Sequence, residues 1–552
     1  MSALRAVVVV PARDEEQRIG RCLRALGRQR GVAPDAYEIV VVLDRCSDET
    51  AAAARAAADG LGPVVRIVDA PAPGVGAARR HGMDLACERL LACGRPDGLV
   101  ASTDADTVVA GDWLASQLAL AGRGAQAIGG RIGLAAEDSG RLAPATVARR
   151  DERARVRMDA VRARDAGAEH HFFSGASLAV TARTYRAVGG LEPLPALEDE
   201  AFEGRLTRAG VPITRSAAVR VATAARTDGR AARGLARDLE LGEWLANRRY
   251  DGCAYTAEGL LERKGATTIS VVLPARDCAE TIGRVLGAAV LPFAASGLVD
   301  QVLVVDGASR DATAERAARA GVEVYAEDDL LPEFGPALGK GDAMWRALSV
   351  ALGDLVVFMD ADTADPHPAH LLGLIGPLVE DPGVHLVKAA FARPFRTADG
   401  VLEDEGGRVT ELMARPLLNL HVPALAGFTQ PLAGETAARR ELLRALPFAT
   451  GYGVEIALLI DALRAVGLDA LAESHVGRRQ NRHQALRDLG AMAFAVLCAV
   501  ERRVAREGEE AAPVAAGLVQ PWAQGAVRDV PVQERPPLRD VLADAAAPAA
   551  GR

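Results

Sequence analysis

Apolar residues along this chain gather in short unbroken runs instead of alternating with polar ones. "AVVVV" from Ala6 and "IVVVL" from Ile39 in the first half, and "SVVL" from Ser270, "QVLVV" from Gln301 and "LVVFM" from Leu355 in the second, have the pattern of strands covered on both faces. Between them lie helical patterns, with Ile19, Cys22 and Leu23 on one face and an alanine-rich stretch from Thr50 to Ala58. Alternating strand and helix predicts a mostly parallel α/β sheet in each half. Such sheets bind ligands beyond the carboxyl ends of their strands. The residues there are Pro11 to Glu15, Asp44 and Asp104 to Asp106, then Pro274 to Asp277, Asp306 and Asp360 to Asp362.

These landmarks repeat. "VVVVPARD" ending at Asp14 recurs as "SVVLPARD" ending at Asp277, "EIVVVLD" ending at Asp44 recurs as "QVLVVD" ending at Asp306, and "DADT" from Asp104 recurs from Asp360. Three matches in one order and near-constant register predict two copies of one architecture. The expected domains are residues 1–258 and 259–506, joined near residue 260 through a segment without strand character. Residues 507–552 are rich in Ala, Pro and Gly and are expected to form an arm that packs late and ends in disorder.

Composition narrows the function. The 552 residues carry 65 basic and 73 acidic side chains, a net charge of −8, which speaks against a nucleic-acid or anionic-membrane footprint. Seven cysteines without C-x-x-C spacing fit neither a disulfide framework nor a structural zinc site. With no signal-like leader and no run of 18 or more apolar residues, the expectation is a cytoplasmic protein without a transmembrane segment.

The chemistry-bearing residues each have a plainer alternative. Asp104 with Asp106, and Asp360 with Asp362, end apolar runs where paired hard oxygens can share Mg2+ or Mn2+ and neutralise a departing diphosphate; the alternative is a turn. Asp44 and Asp306 can accept hydrogen bonds from a base or ribose, or can cap a helix. "PGVGAARRHG" (Pro73 to Gly82) and "ALGKGDAMW" (Ala337 to Trp345) offer backbone amides to phosphate, with Arg79, Arg80 or Lys340 as counter-charge, or are flexible loops at helix starts. Glu198, Asp199 and Glu200 suit the first turn of a helix, and Asp199 is also a candidate general base. "GGRVTEL" (Gly406 to Leu412) provides a glycine-rich turn with Arg408 and Thr410, apt for a phosphorylated acceptor.

Taken together, these motifs resemble GT-A fold, nucleotide-sugar-dependent glycosyltransferases, here as two tandem Rossmann-like α/β domains. Through "PARDEE", Asp44, "GVGAARR", "TDADT", "FSGAS" and the Glu198-Asp199 pair, the first half resembles the inverting family 2 enzymes over about residues 5 to 245. The resemblance implies that Asp106 binds the metal, that Asp199 deprotonates the acceptor, and that Pro11, Glu15, Asp44, Arg79 and Asp104 belong to the donor site.

The second half is similar to the glucosyl-3-phosphoglycerate synthases over about residues 268 to 540. "LGKGDAMWRAL", "DLVVFMDADTADPHP", "GGRVTELMARPLL", "QPLAGETAARRELLRALPFATGYGVEIALLID" and the late "ERPPL" carry this likeness. It implies retaining transfer of glucose from UDP-glucose to the 2-hydroxyl of 3-phosphoglycerate. Asp306 and Ser309 would hold the uridine, with Pro274 and Asp360 in the donor site, Lys340 at the diphosphate and Asp362 on the metal. Gly407, Arg408 and Thr410 would take the acceptor's phosphate and carboxylate. Tyr452 and Glu455 would line the sugar and acceptor site, Glu455 joining Asp199 among the catalytic candidates. Where the synthases carry a metal-ligating His followed by Arg-Asn-Arg, this chain reads Asn481, Arg482, His483 and Gln484, so the implied third ligand is Asn481 or His483. Their Asn-Glu after the first strand is Asp277-Cys278 here, whereas the first half keeps Glu15.

The expected function is therefore a fused pair of sugar transferases, with a nucleotide sugar and a small phosphorylated acceptor as partners and a homodimer allowed for. The alternative is one active half beside a degenerate binding or stabilising module. Glycoside hydrolysis fits less well, because its carboxylates must lie about 5 to 9.5 Å apart across a bond. Nucleotidyl transfer lacks its early glycine-rich signature.

Overall fold

The computed structural model describes residues 4–229, 233–397, 400–402, 406–479, 485–504, 517–520, 522 and 525–546. They form two compact units, Met1–Glu243 and Trp244–Arg552.

The first unit is built on one eight-stranded sheet of β1 (Ala6–Ala12), β2 (Tyr37–Leu43), β3 (Val64–Asp69), β4 (Leu99–Ser102), β5 (Thr107–Val109), β6 (Ala127–Leu134), β7 (Leu178–Thr181) and β8 (Ile213–Thr223). Their order is β3-β2-β1-β4-β7-β6-β8-β5. β1 to β4 run parallel and β7 is antiparallel to both its neighbours. All seven positions of β1 and of β2 are buried, as their unbroken apolar runs require. Because side chains alternate across the sheet, Val8 and Val10 pack with Ile19, Cys22 and Leu23 of the helix Ile19–Gly27 on one face. Val7 and Val9 pack with Ala78, Met83 and Leu90 of the helix Val75–Ala92 on the other. Truncating Leu23 or Leu90 to Ala removes about 2–5 kcal/mol from such a core. β1 runs through Pro11 and Ala12, past its last pair with β4 at Val9, where the missing proline N–H costs least.

In the second unit the sheet contains β9 (Arg249–Asp251), β10 (Ile269–Ala275), β11 (Gln301–Asp306), β12 (Glu323–Ala326), β13 (Leu355–Phe358), β14 (Leu386–Ala392), β17 (Thr436–Arg439) and β19 (Leu471–Arg478). The short strands β15 (Phe395–Thr397) and β16 (Gly400–Leu402) form a separate pair, as do β18 (Phe448–Ala449) with β22 (Glu534–Arg535), and β20 (Gly517–Gln520) with β21 (Ala526–Asp529). The main order, β12-β11-β10-β13-β17-β14-β19-β9, reproduces the first sheet position by position except at the edge. The repeat seen in sequence is thus a repeat of topology, and each unit is a Rossmann-like GT-A domain.

The division falls at Glu243, short of the expected join near residue 260. β9 pairs in parallel with β19, and the Trp244 indole N–H donates to Leu471 O at 2.7 Å, so the stretch from Trp244 to Asp251 folds as part of the second unit. The late chain is likewise built in. β22 pairs with β18, and Val530 and Val532 pack against Ala491, Ala495 and Cys498. Arg503 bridges Asp461 and Glu534 at 2.5 and 2.7 Å. Among the described residues no helix is long and apolar enough to cross a membrane.

Candidate active sites

In the first unit the ends of β1, β2 and β4 converge as expected. Asp44 is buried; its Oδ2 accepts from the Gly74 N–H at 3.0 Å at the start of the helix Val75–Ala92, while its Oδ1 has no hydrogen-bond partner among the described residues. Glu15 is also buried, with Oε2 unpartnered. Unsatisfied buried acceptors of this kind suit donors on a ligand. Asp14, Cys46 and Asp48 bring ligand atoms within 4.8 Å of one another, but Asp14 accepts from the Ser47 N–H and Asp48 from the Thr50 N–H, so these carboxylates cap turns.

Arg79 departs from its expected role as a donor contact. It is 2% exposed, and its guanidinium donates to Asp104 (2.7 Å), Glu198 (2.9 Å), Ser102 Oγ (2.7 Å) and Gly175 O (3.1 Å). With four of its five N–H donors engaged in this way, it positions the carboxylates. Asp199 accepts from the Gly175 N–H at 3.0 Å, which fixes it beside the same loop. Asp106 is pushed up to about 6 by burial and by Asp104, only partly offset by Arg226. Arg226, which the sequence did not single out, spans Glu15 (2.6 Å) and Asp106 (2.9 Å).

The second unit presents a different electrostatic balance. Lys340, opening the helix Lys340–Ala347, lies 2.6 Å from Asp360 and 2.9 Å from Glu455. Its helix can approach because position 341 is glycine; a Cβ there would lie 1.9 Å from Ala449 O. Arg479, at the end of β19, donates to Asp360 (2.8 Å) and Thr363 (2.9 Å) and pairs with Glu435. Despite burial, Lys340 and Arg479 together hold the Asp360 carboxyl well below its usual range. Asp362 has no such close partner among the described residues: Arg479 stands 3.9 Å away and the side chain is 62% exposed. Gly434 closes the cluster, since a Cβ there would sit 2.3 Å from Asp360 and 2.4 Å from Lys340.

Asp306 receives the Ser309 N–H at 3.1 Å on Oδ2 and leaves Oδ1 buried and without a hydrogen-bond partner among the described residues, while Ser309 Oγ accepts from the Asp277 N–H at 3.0 Å. Glu327, beside Gly307, is pushed up to about 7 by burial and by Asp328. Lys388 is buried on β14, donates to Ala433 O and Thr436 Oγ, and is pulled down to about 8 by burial. Gly407 takes φ +77°, and the Gly406 N–H donates to Arg393 O at 2.9 Å. The Arg393 and Arg479 guanidinium groups both lie over the Phe391 ring, at 5.0 and 5.3 Å, which links the Gly407-Arg408-Thr410 turn to the Asp360 cluster. Thr410 is buried and Tyr452 is 48% exposed. Asn481 and His483 lie outside the described residues.

Sequence reasoning missed Arg226, Arg479, Glu435, Lys388 and Glu327. Arg479 and Arg226 each lie just past the end of a strand, β19 and β8, that holds the same place in its sheet, and this is a signal that could have found them.

Strand-end carboxylate pairs, ringed by cations and repeated on two α/β sheets, define a nucleotide-sugar transferase architecture, and comparison with known proteins agrees. Residues 5–237 match the family model described as "Glycosyltransferase like family 2", and residues 270–403 match "Glycosyl transferase family 2". The chain belongs to the family 2 glycosyltransferases and carries two such domains in tandem. It is 46% identical over 271 residues to glucosyl-3-phosphoglycerate synthase of Mycolicibacterium paratuberculosis, covering 48% of this chain and 82% of that protein. To the synthase of Mycolicibacterium smegmatis it is 40% identical over 300 residues, covering 53% and 97%. Among solved structures it is similar to mannosyl-3-phosphoglycerate synthase from Rubrobacter xylanophilus, with 45% identity, a TM-score of 0.48 and coverage of 55% of this chain and 98% of that one. Another is the Mycobacterium tuberculosis glucosyl-3-phosphoglycerate synthase in complex with Mn2+, UDP-glucose and phosphoglyceric acid, with 42% identity, a TM-score of 0.47 and coverage of 52% and 96%.

Proposed function

We propose that the second unit transfers glucose from UDP-glucose to the 2-hydroxyl of 3-phosphoglycerate with retention, and that the first unit transfers a second sugar, with inversion, to another acceptor. The observation that supports the first part is the kinship to glucosyl-3-phosphoglycerate synthases, 40% identical over 300 residues and covering 97% of one of them. The strings on which the second half's resemblance to those synthases rests, from "LGKGDAMWRAL" to "ERPPL", favour this reading.

In this reading Asp306 Oδ1 and Ser309 bind the uridine, and Lys340 turns from Asp360 and Glu455 toward the incoming diphosphate. The exposed Asp362 carboxylate offers a hard oxygen that suits Mg2+ or Mn2+, and a cation held there would supply charge neutralisation of the departing diphosphate. Gly407, Arg408 and Thr410 hold the acceptor's phosphate and carboxylate through backbone amides and the guanidinium. Tyr452 and Glu455 close the sugar site. No enzyme base is needed when transfer occurs on one face, because a departing diphosphate oxygen can take the acceptor proton; electrostatic stabilisation of that oxygen is then the main source of rate. In the first unit Asp199 serves as the general base that deprotonates the acceptor. The seven cysteines, all unpaired, suit a reducing cytoplasm.

The test is UDP release with UDP-glucose, 3-phosphoglycerate and Mg2+ or Mn2+, with the product identified by mass. Formation of a phosphoglycerate-glucose adduct that survives Asp106→Ala and disappears in Asp362→Ala is the expected result. An adduct that instead disappears in Asp106→Ala would move the synthase activity to the first unit.

A further inference from the structure

The two homologous carboxylate pairs are neutralised differently. In the second unit one aspartate, Asp360, is saturated by Lys340 and Arg479, and the other, Asp362, is open to solvent. In the first unit both are paired: Asp104 with Arg79 at 2.7 Å, and Asp106 with Arg226 at 2.9 Å. Arg226 also takes Glu15 at 2.6 Å, so it sits between Glu15 and Asp106, the carboxylate expected to bind a divalent ion. Glu15 and Asp106 are 6% and 11% exposed, whereas Arg226 is 25% exposed and therefore keeps one side toward solvent. The residues of the first unit thus do not fit a resident divalent cation, because that position is already filled by a fixed positive charge.

We propose that Arg226 is the built-in cation of the first unit, which binds the diphosphate of its nucleotide sugar without a divalent metal. This rests on reading the first unit as a nucleotide-sugar transferase. A guanidinium stays charged at any physiological pH and offers parallel N–H donors that match phosphate oxygens in pairs. Anchored on Glu15 and Asp106 from behind, it meets the diphosphate with its open edge, in the way a metal would from the same carboxylates. Asp106 is then a positioning residue for Arg226 and not a metal ligand.

The experiment uses the full chain carrying Asp306→Ala and Asp362→Ala, which removes the base and cation carboxylates of the second unit. Binding of UDP and of GDP is measured by calorimetry in EDTA and in Mn2+, and bound Mn2+ is counted by electron paramagnetic resonance. One of the two nucleotides is expected to bind equally well, within about twofold, in EDTA and in Mn2+. Adding Arg226→Ala is expected to weaken binding in EDTA by about tenfold or more, to restore it with Mn2+, and to create one new Mn2+ site at Glu15 and Asp106. Arg226→Lys keeps the charge and is expected to retain binding in EDTA, which separates loss of charge from loss of fold. Binding that requires Mn2+ while Arg226 is present, or that is unchanged in EDTA by Arg226→Ala, overturns the proposal and leaves the transferase reading intact. No binding of either nucleotide under any condition overturns the nucleotide reading of the first unit itself.

Discussion

The Nζ of Lys340 lies 2.6 Å from Asp360 Oδ1, tying the glycine-rich loop to the strand-end carboxylate pair. The same ammonium reaches Glu455 at 2.9 Å, and although burial disfavours its charge, the two carboxylates raise its pKa above the ordinary lysine range. Lys340→Met is expected to strand Glu455 and half of Asp360, costing about 2–4 kcal/mol in denaturant unfolding. UDP release should fall about 100-fold or more with it. A variant with native stability and native rate would show that the pair is incidental.

Asp362 is expected to behave in the opposite way. Its side chain is 62% exposed and no cation lies closer than 3.9 Å among the described residues, so Asp362→Ala should change stability by less than about 0.5 kcal/mol. UDP release should nonetheless fall about 100- to 1,000-fold. Asp360→Asn should lower both quantities, because Arg479 and Lys340 then lose their shared partner. Comparing thermal unfolding with rate in the two variants separates a metal-binding carboxylate from a structural one.

Glu327 predicts a pH dependence of stability. Burial and Asp328 push its carboxyl from the ordinary value of 4.5 up to about 7, so between these pH values the folded state binds more protons than the unfolded. Stability contributed by this group is therefore present below about pH 4.5 and is lost as pH rises to about 7. Glu327→Gln should flatten the pH dependence of the melting temperature across that window and raise it at pH 8. An unchanged profile would mean that Glu327 reaches solvent in its charged form.

The late "ERPPL" segment is structural. Arg535 grips the fully buried Asp342 at 2.7 Å, and its guanidinium lies 5.7 Å from the ring centres of both Trp345 and Phe334. Arg346 also pairs with Asp342 at 3.3 Å, so one partner remains when the other is removed. Arg535→Ala should therefore cost about 2–4 kcal/mol, somewhat less than an unpaired buried charge. Since Asp342 shares a helix with Lys340, nucleotide affinity should fall as well; calorimetry with UDP at a temperature where the variant stays folded checks this.

The first strands and helices of each half, the duplication, and the placing of Asp44, Asp104, Asp306 and Asp360 at strand ends were legible in the chain itself. Each arises from local periodicity: an unbroken apolar run buried on both faces must be a covered strand, and the polar residue that ends it must reach the sheet edge. The partners of those aspartates were not legible. Arg79 meets Glu198, Arg226 meets Glu15, Arg479 meets Asp360 and Arg535 meets Asp342 across long stretches of chain. With 65 basic residues and no periodic rule for choosing among them, only the folded arrangement decides which cation compensates which carboxylate. The same holds for the boundary at Glu243, set by the pairing of β9 with β19 and not by composition. Periodicity is a property of neighbouring residues, whereas charge compensation in a buried site depends on which distant side chains share its low-dielectric space.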